Sequence, residues 1–127
     1  SGVILIISST SGLFGVPNRA PYVTAKWGLV GLMKTLAMEL GPAGVRVNAI
    51  CPGSIEGDRM ERVLDMESAA SGQDRAALQA QYTQGVSLRK FMSPQDIAEM
   101  AFFLASDAAH NVTGQAISVD RNTERMV

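Results

Sequence analysis

Tyr22 and Lys26 stand four residues apart in Ala20-Pro-Tyr-Val-Thr-Ala-Lys-Trp-Gly-Leu-Val-Gly-Leu32. Side chains at i and i+4 share one face of a helix, so a phenol and an ammonium placed there can interact. Thirteen residues before the tyrosine, Ser9 closes the run Val3-Ile-Leu-Ile-Ile7-Ser-Ser9. A serine at the end of a strand can face such a helix across a cleft. The three groups together describe a proton-transfer site. A phenol alone is a poor acid or base near neutrality, its ordinary pKa being about 10. A neighbouring ammonium favours the phenolate, and a cationic cofactor ring would favour it further. Bringing a phenol to pH 7 takes roughly 4 kcal/mol of differential stabilisation. Ser9 could donate to an oxygen that gains negative charge, while Tyr22 gives or takes the proton. The same spacing also suits a packed ring beside a snorkelling lysine. The serine at the matching strand end favours the chemical reading.

Such a site needs a strand ending at Ser9 and a helix starting just before Tyr22. Val3 to Ser8 is a continuous apolar run, the pattern of a strand buried on both faces. Ser9 to Arg19 is Gly- and Ser-rich and reads as a loop. A helix is expected from about Ala20 to Leu40, with Pro21 tolerated in its first turn and Gly41-Pro42 ending it. Val45 to Cys51 reads as a second buried strand, stopped by Pro52-Gly53. Asp58 to Gly85 is polar, with Ser71-Gly72 as a break between two short helices. Ser93 is an expected N-cap, followed by Pro94 and a helix through Leu104. Ala116 to Val119 is a last short strand. Strands alternating with helices predict an α/β fold: the second half of a doubly wound, Rossmann-like parallel sheet of three strands with right-handed crossovers. Ligands of such sheets bind at the carboxyl ends of the strands, where Ser9 and the loop Pro52 to Gly57 fall.

Composition bounds the partners. The chain has 127 residues, 46% hydrophobic and 18% charged, with a net charge of -1. Neither nucleic acid nor an anionic membrane is expected to bind it. No apolar run approaches the roughly 18 residues of a membrane span, and no signal segment opens the chain. Cys51 is the single cysteine, which excludes an internal disulfide and fits a reducing, cytoplasmic setting. It reads as a small buried hydrophobe. The lone His110 offers no metal constellation and is expected to be exposed near a turn.

The chain resembles the short-chain dehydrogenase/reductase family over essentially its whole length. The resemblance rests on Ile7-Ser-Ser9, Tyr22-Val-Thr-Ala-Lys26, Val45-Arg-Val-Asn48-Ala-Ile-Cys-Pro52-Gly53 and Thr113-Gly-Gln-Ala-Ile-Ser-Val-Asp120. It implies hydride transfer between a nicotinamide cofactor, NAD or NADP, and a small carbonyl or alcohol substrate. It implies Ser9 as donor to the substrate oxygen, Tyr22 as acid/base, and Lys26 as modifier of Tyr22 and ligand of the nicotinamide ribose. Through the backbone near Ile55, the loop opened by Pro52 and Gly53 would contact the carboxamide. Two positions depart from the family pattern. Gly57 stands where many relatives have Thr, and Arg121 follows Val-Asp where many have Gly, so positive φ there would be strained. Asn48 reads as mainly structural.

Relatives run to about twice this length, and this chain resembles their second half. No Gly-rich turn follows a strand and opens a helix near its start, as a dinucleotide fingerprint requires. Gly28 and Gly31 lie inside the helical pattern, where small residues would permit close helix packing. The expected organisation is one incomplete domain: a catalytic strand-helix-strand at 1–57, a substrate lid at 58–91, and a terminal helix and strand at 92–127. In the lid, Met60, Val63, Leu64 and Met66 would form one apolar face, with Arg59, Glu61 and Arg62 in solvent. Tyr82, lacking a charged partner at i±4, reads as lid or core. The first helix carries few charges, and the family implies a homo-oligomer built on it. Without an upstream half, Val3 to Ile7 would present an open sheet edge, expected to be masked by self-association or another polypeptide. The alternative to an enzyme is an inactive fragment or assembly module that cannot hold a dinucleotide alone.

Overall fold

A computed structural model of the protein describes residues 1–123; residues 124–127, the end of the expected third segment, lie outside the described part. The apolar runs become three parallel strands, β1 (Gly2–Ile7), β2 (Val45–Pro52) and β3 (Ala116–Val119), in the order β1-β2-β3. The helices are α1 (Ala20–Leu40), α2 (Asp58–Ser71), α3 (Arg75–Gln84) and α4 (Pro94–Ala105). Pro21 sits in the first turn of α1, and Gly41-Pro42 ends it in a short turn closed by Gly44 at φ 77°. Gly72 breaks α2 from α3 at φ 73°. Ser93 caps α4 reciprocally with Asp96, each side chain bonding the other's backbone N–H.

Register places every strand end on one edge. Ile7 pairs with Ile50 and Pro52 with Val119, so Ser9, Gly53 and Asp120 all emerge there. Successive β2 residues point to opposite faces. Val47, Ala49 and Cys51 pack on Val30, Met33 and Ala37 of α1, whereas Ile50 packs on Leu104 of α4 and on Ala109. Each large aliphatic side chain so buried contributes about 1.5–3 kcal/mol. Arg46 anchors the second face, its guanidinium donating to Leu104 O at 2.8 Å and Ser106 O at 3.1 Å at the end of α4. Asn48, fully buried, donates to Val112 O and accepts from Gln115 N, which makes it a structural residue as expected.

The sheet advances in one direction while α1 and α4 cover opposite faces. The two crossovers therefore have opposite hands, and right-handedness throughout does not hold. The rule works when a twisted strand feeds its helix directly; here α2 and α3 intervene before α4. A Cβ at Gly28 or Gly31 would meet nothing within 4 Å among the described residues, so the close packing expected of them is not made there. One further expectation is corrected. Met66 is 72% exposed and lies outside the apolar face of α2, where Leu64 is buried and Met60 and Val63 half-buried. The outer side of α1 leaves Trp27, Leu32 and Met38 exposed, and β1 leaves Val3, Ile4 and Ile7 exposed at an edge with no further strand among the described residues.

Candidate active site

Ser9 leaves β1 in an extended conformation, φ -167°, and caps the short turn Thr10–Gly12. Its Oγ accepts from Ser11 N at 3.1 Å. A hydroxyl that accepts in this way keeps its own hydrogen for another acceptor, which suits a donor to a reacting oxygen. Its neighbour Ser8 is buried and does the positioning. Ser8 Oγ donates to Lys26 O at 2.9 Å, fastening the end of β1 to the second turn of α1. Gly12 permits that approach: a Cβ there would lie 2.5 Å from Ser8 Oγ and 3.0 Å from Lys26 O. Trp27 Nε1 adds a bond to Phe14 O at 3.3 Å from the same helix to the same loop. Ser8, Gly12 and Trp27 were not singled out from the sequence. The adjacent serines and the Gly-rich loop were the only signals available.

Tyr22 and Lys26 share a face of α1, with Lys26 Nζ 5.5 Å from the centre of the Tyr22 ring. A second cation, unforeseen in the sequence, also meets this ring: Arg19 Cζ lies 4.6 Å from its centre. Arg19 occupies the N-cap position of α1, one helical turn before Tyr22, and a search for cations at i-3 would have found it. Cations over an aromatic face are attracted by its quadrupole. The ring is thus held in a positive environment at the sheet's carboxyl edge.

The second strand end supplies a backbone ribbon. Pro52 is buried, and Gly53 N donates to Val119 O at 3.1 Å. Gly53 is squeezed between two neighbours; a Cβ would lie 2.9 Å from Asp120 Cβ and 3.0 Å from Met92 Cε. Next, Met92 N donates to Ser54 O and Glu56 N to Met92 O, at 2.9 and 2.7 Å. In a parallel bridge of this kind, the N–H and C=O of the intervening Ile55 point away from Met92. One donor and one acceptor on a single residue complement a primary carboxamide. Gly57 follows at φ 137°, open on the side where a Cβ would stand.

The other singled-out groups lie outside this chemistry. Burial pushes the Cys51 thiol up, with bonds from Ser9 and Ser8 opposing it more weakly, so it remains a neutral core group. Tyr82 Oη donates to Glu67 Oε1 at 2.6 Å, tying α3 to α2; burial and then this bond push its phenol up to about 12. His110 is exposed, its Nδ1 2.9 Å from Asp107 O. Among the described residues, no cluster of His, Cys, Asp and Glu could hold a metal ion, and no helix is long and apolar enough to cross a membrane.

Helices on both faces of a parallel three-stranded sheet define the class: an α/β, Rossmann-like fold. Comparison narrows it. A family profile described as Enoyl-(Acyl carrier protein) reductase matches residues 1–121, and the chain belongs to this family of short-chain dehydrogenases. It is 39% identical over 120 residues to a 3-oxoacyl-[acyl-carrier-protein] reductase of Chlamydia trachomatis, covering 94% of this chain and 44% of that protein. Among solved structures it is similar to an actinorhodin polyketide ketoreductase with NADPH, at TM-score 0.89 and 34% identity over 98% of this chain and 48% of that one. It is also similar to a 4-hydroxyisoleucine dehydrogenase mutant complexed with NADH and succinate, at TM-score 0.81 and 36% identity over 97% and 47%. The chain spans about half the length of the relatives it matches.

Proposed function

We propose that this chain carries the nicotinamide-facing half of the active site of an NAD(P)-dependent oxidoreductase acting on a small carbonyl or alcohol. The observation that carries this is the joining of β1 to α1 through Ser8 Oγ and Lys26 O, which sets Ser9 beside the helix that bears Tyr22 and Lys26. The residues present fit the nicotinamide end of a dinucleotide: the outward N–H and C=O of Ile55 match a carboxamide, and Lys26 would donate to ribose hydroxyls. Pro52 and Gly53 set the path of that ribbon. When bound, a nicotinamide would supply the hydride donor or acceptor for the substrate carbon. Tyr22 Oη gives a proton to the carbonyl oxygen in reduction and takes it back in oxidation. Ser9 donates a hydrogen bond to that oxygen while it is negatively charged. The side chains of Lys26 and Arg19 stand beside the Tyr22 ring, where cations favour its phenolate. Helices α2 and α3 would lie over the substrate as a lid, in a reducing, cytoplasmic setting.

Tyr22→Phe should lower turnover by roughly 10²–10⁴-fold in the assembled enzyme, the usual worth of a positioned acid/base. Cofactor affinity, followed by reduced-nicotinamide fluorescence, should change little. Unchanged turnover would remove Tyr22 from the chemistry.

A second reading is favoured by a specific observation, the exposure of Val3, Ile4 and Ile7 on the outer edge of β1. On this reading the 127 residues assemble with another polypeptide or with copies of themselves and do not hold a dinucleotide alone. The apolar outer side of α1, with Trp27, Leu32 and Met38, would serve a homo-oligomer. Titration with NADH and NADPH separates the readings: binding by this chain alone supports a self-sufficient site, and binding only after addition of a Gly-rich upstream half supports assembly.

A further inference from the structure

A cleft of about 420 Å³ lies outside the Ser9, Tyr22 and Lys26 group, beneath α3 and beside the start of α4. Arg89, Lys90, Arg121, Glu56, Asp96 and Phe91 line it. Its size is that of a small-molecule site. Two of its arginines stand in left-handed backbone, Arg89 at φ 54° and Arg121 at φ 53°, with Asn122 at φ 60° beside them. Long side chains rarely adopt this conformation, which glycine accepts without strain. Strain of this kind gathers where a side chain is needed.

The strained turns are held together. Asp120 accepts from Asn122 N and Thr123 N, each at 3.0 Å, and fixes the first turn. Ser87 N donates to Asn122 O at 2.9 Å and Leu88 N to Arg121 O at 3.3 Å, which brings the second turn alongside. The guanidiniums of Arg89 and Arg121 therefore belong to one wall. Arg121 Nη2 reaches Asp96 at 3.4 Å, but its Nε is buried without a partner among the described residues. Arg89 Nη1 donates to Gln84 O and Val86 O, leaving its other N–H groups. Arg121 Nε itself has no accessible surface, so a ligand in the cleft would be received by the exposed part of the Arg121 side chain.

Charge decides which acceptor. Three cations face two carboxylates, and Asp96 is already engaged by Ser93 N and Arg121. One surplus positive charge suits a singly charged anion better than a phosphate dianion, which Glu56 would repel. The buried ring of Phe91 and the Ala80 methyl offer an apolar wall for a short carbon chain. We propose that this cleft binds a short-chain monocarboxylate, with its carboxyl group received by Arg121 and Lys90. The inference does not rest on the oxidoreductase reading, since it needs neither Tyr22 nor a dinucleotide.

The test titrates the full chain with propionate, propionamide and inorganic phosphate by calorimetry and by the Arg side-chain N–H signals in NMR. Propionate is expected to bind and to move the Arg121 Nε–H signal. Propionamide should bind at least roughly tenfold more weakly, and Arg121→Gly and Lys90→Gln should each weaken propionate by about tenfold, as for a lost charge-assisted hydrogen bond. Arg121→Gly relaxes the backbone, so its loss of binding would not reflect misfolding; its melting temperature should be no lower than that of the parent. Equal affinity for propionate and propionamide, unchanged binding in both variants, or tighter binding of phosphate than of propionate would each overturn the assignment.

Discussion

The edge carrying Ser9, Tyr22 and Lys26 and the α2–α3 hairpin are built in opposite ways. The first is fixed by buried contacts to backbone: Ser8 Oγ on Lys26 O, with Gly12 letting the loop approach the helix. The second is fixed by side chains in solvent. Arg75 pairs with Glu61 and with Asp65, and Tyr82 bonds Glu67. Only Leu64 and Leu78 are buried in the two helices. Exposed ion pairs contribute little and are screened by salt, whereas a satisfied buried bond is expensive to break. The same short chain thus combines an edge fixed by buried contacts with a hairpin held mainly by exposed ones.

Breaking the buried side should have the larger effect. Gly12→Ala forces a methyl onto Ser8 Oγ and Lys26 O and should cost about 1–3 kcal/mol, the usual penalty for overpacking. Ser8→Ala removes the bond itself and should cost about 1 kcal/mol. The two are coupled, because losing the hydroxyl relieves part of the clash. A double variant less destabilised than the sum of the singles, by denaturant unfolding, is the expected result. Strict additivity would mean that the loop is not held there.

The hairpin should respond to solvent conditions instead. The Tyr82 phenol is raised in the folded state from 10.0 to about 12. A raised value favours the protonated form, so the latch to Glu67 contributes fully below pH about 10 and is lost as pH rises toward 12. Hydrogen exchange in α2 and α3 should accelerate over that interval, ahead of β2. Tyr82→Phe should exchange faster already at neutral pH, and a variant with the parental pH profile would disprove the latch. Smallest of all, Arg75→Ala should lower hairpin protection slightly in low salt and not at all in high salt; an equal effect at both ionic strengths would show that Arg75 works through packing.

Much of the fold was legible because its signals are local. Apolar runs marked the strands, Pro21 and Gly41-Pro42 bounded α1, Ser71-Gly72 split the hairpin, and Ser93 capped α4. The shared face of Tyr22 and Lys26 on α1 was legible from their spacing. Their supports were not. Ser8 and Ser9 are the same residue type one step apart, and only the path of the chain decides which faces α1. Gly12 looks like any loop glycine until the helix is laid against it. Tyr82 finds Glu67 fifteen residues away, beyond any helical spacing. Met66 falls near the apolar stripe of α2, yet the hairpin is too thin to cover it. Opposite crossover hands depend on where α4 lands after two intervening helices, which no local pattern encodes.

The pairing of residues 54–56 with Met92 has a mechanical consequence. The chain that departs into α2 and the chain that returns from α3 are stitched to each other at their roots, like the two ends of a loop of thread knotted at the cloth. The returning chain is stitched a second time, Ser87 and Leu88 to Asn122 and Arg121 just past β3, so a cut at the tip between Ser71 and Asp74 leaves both roots tied.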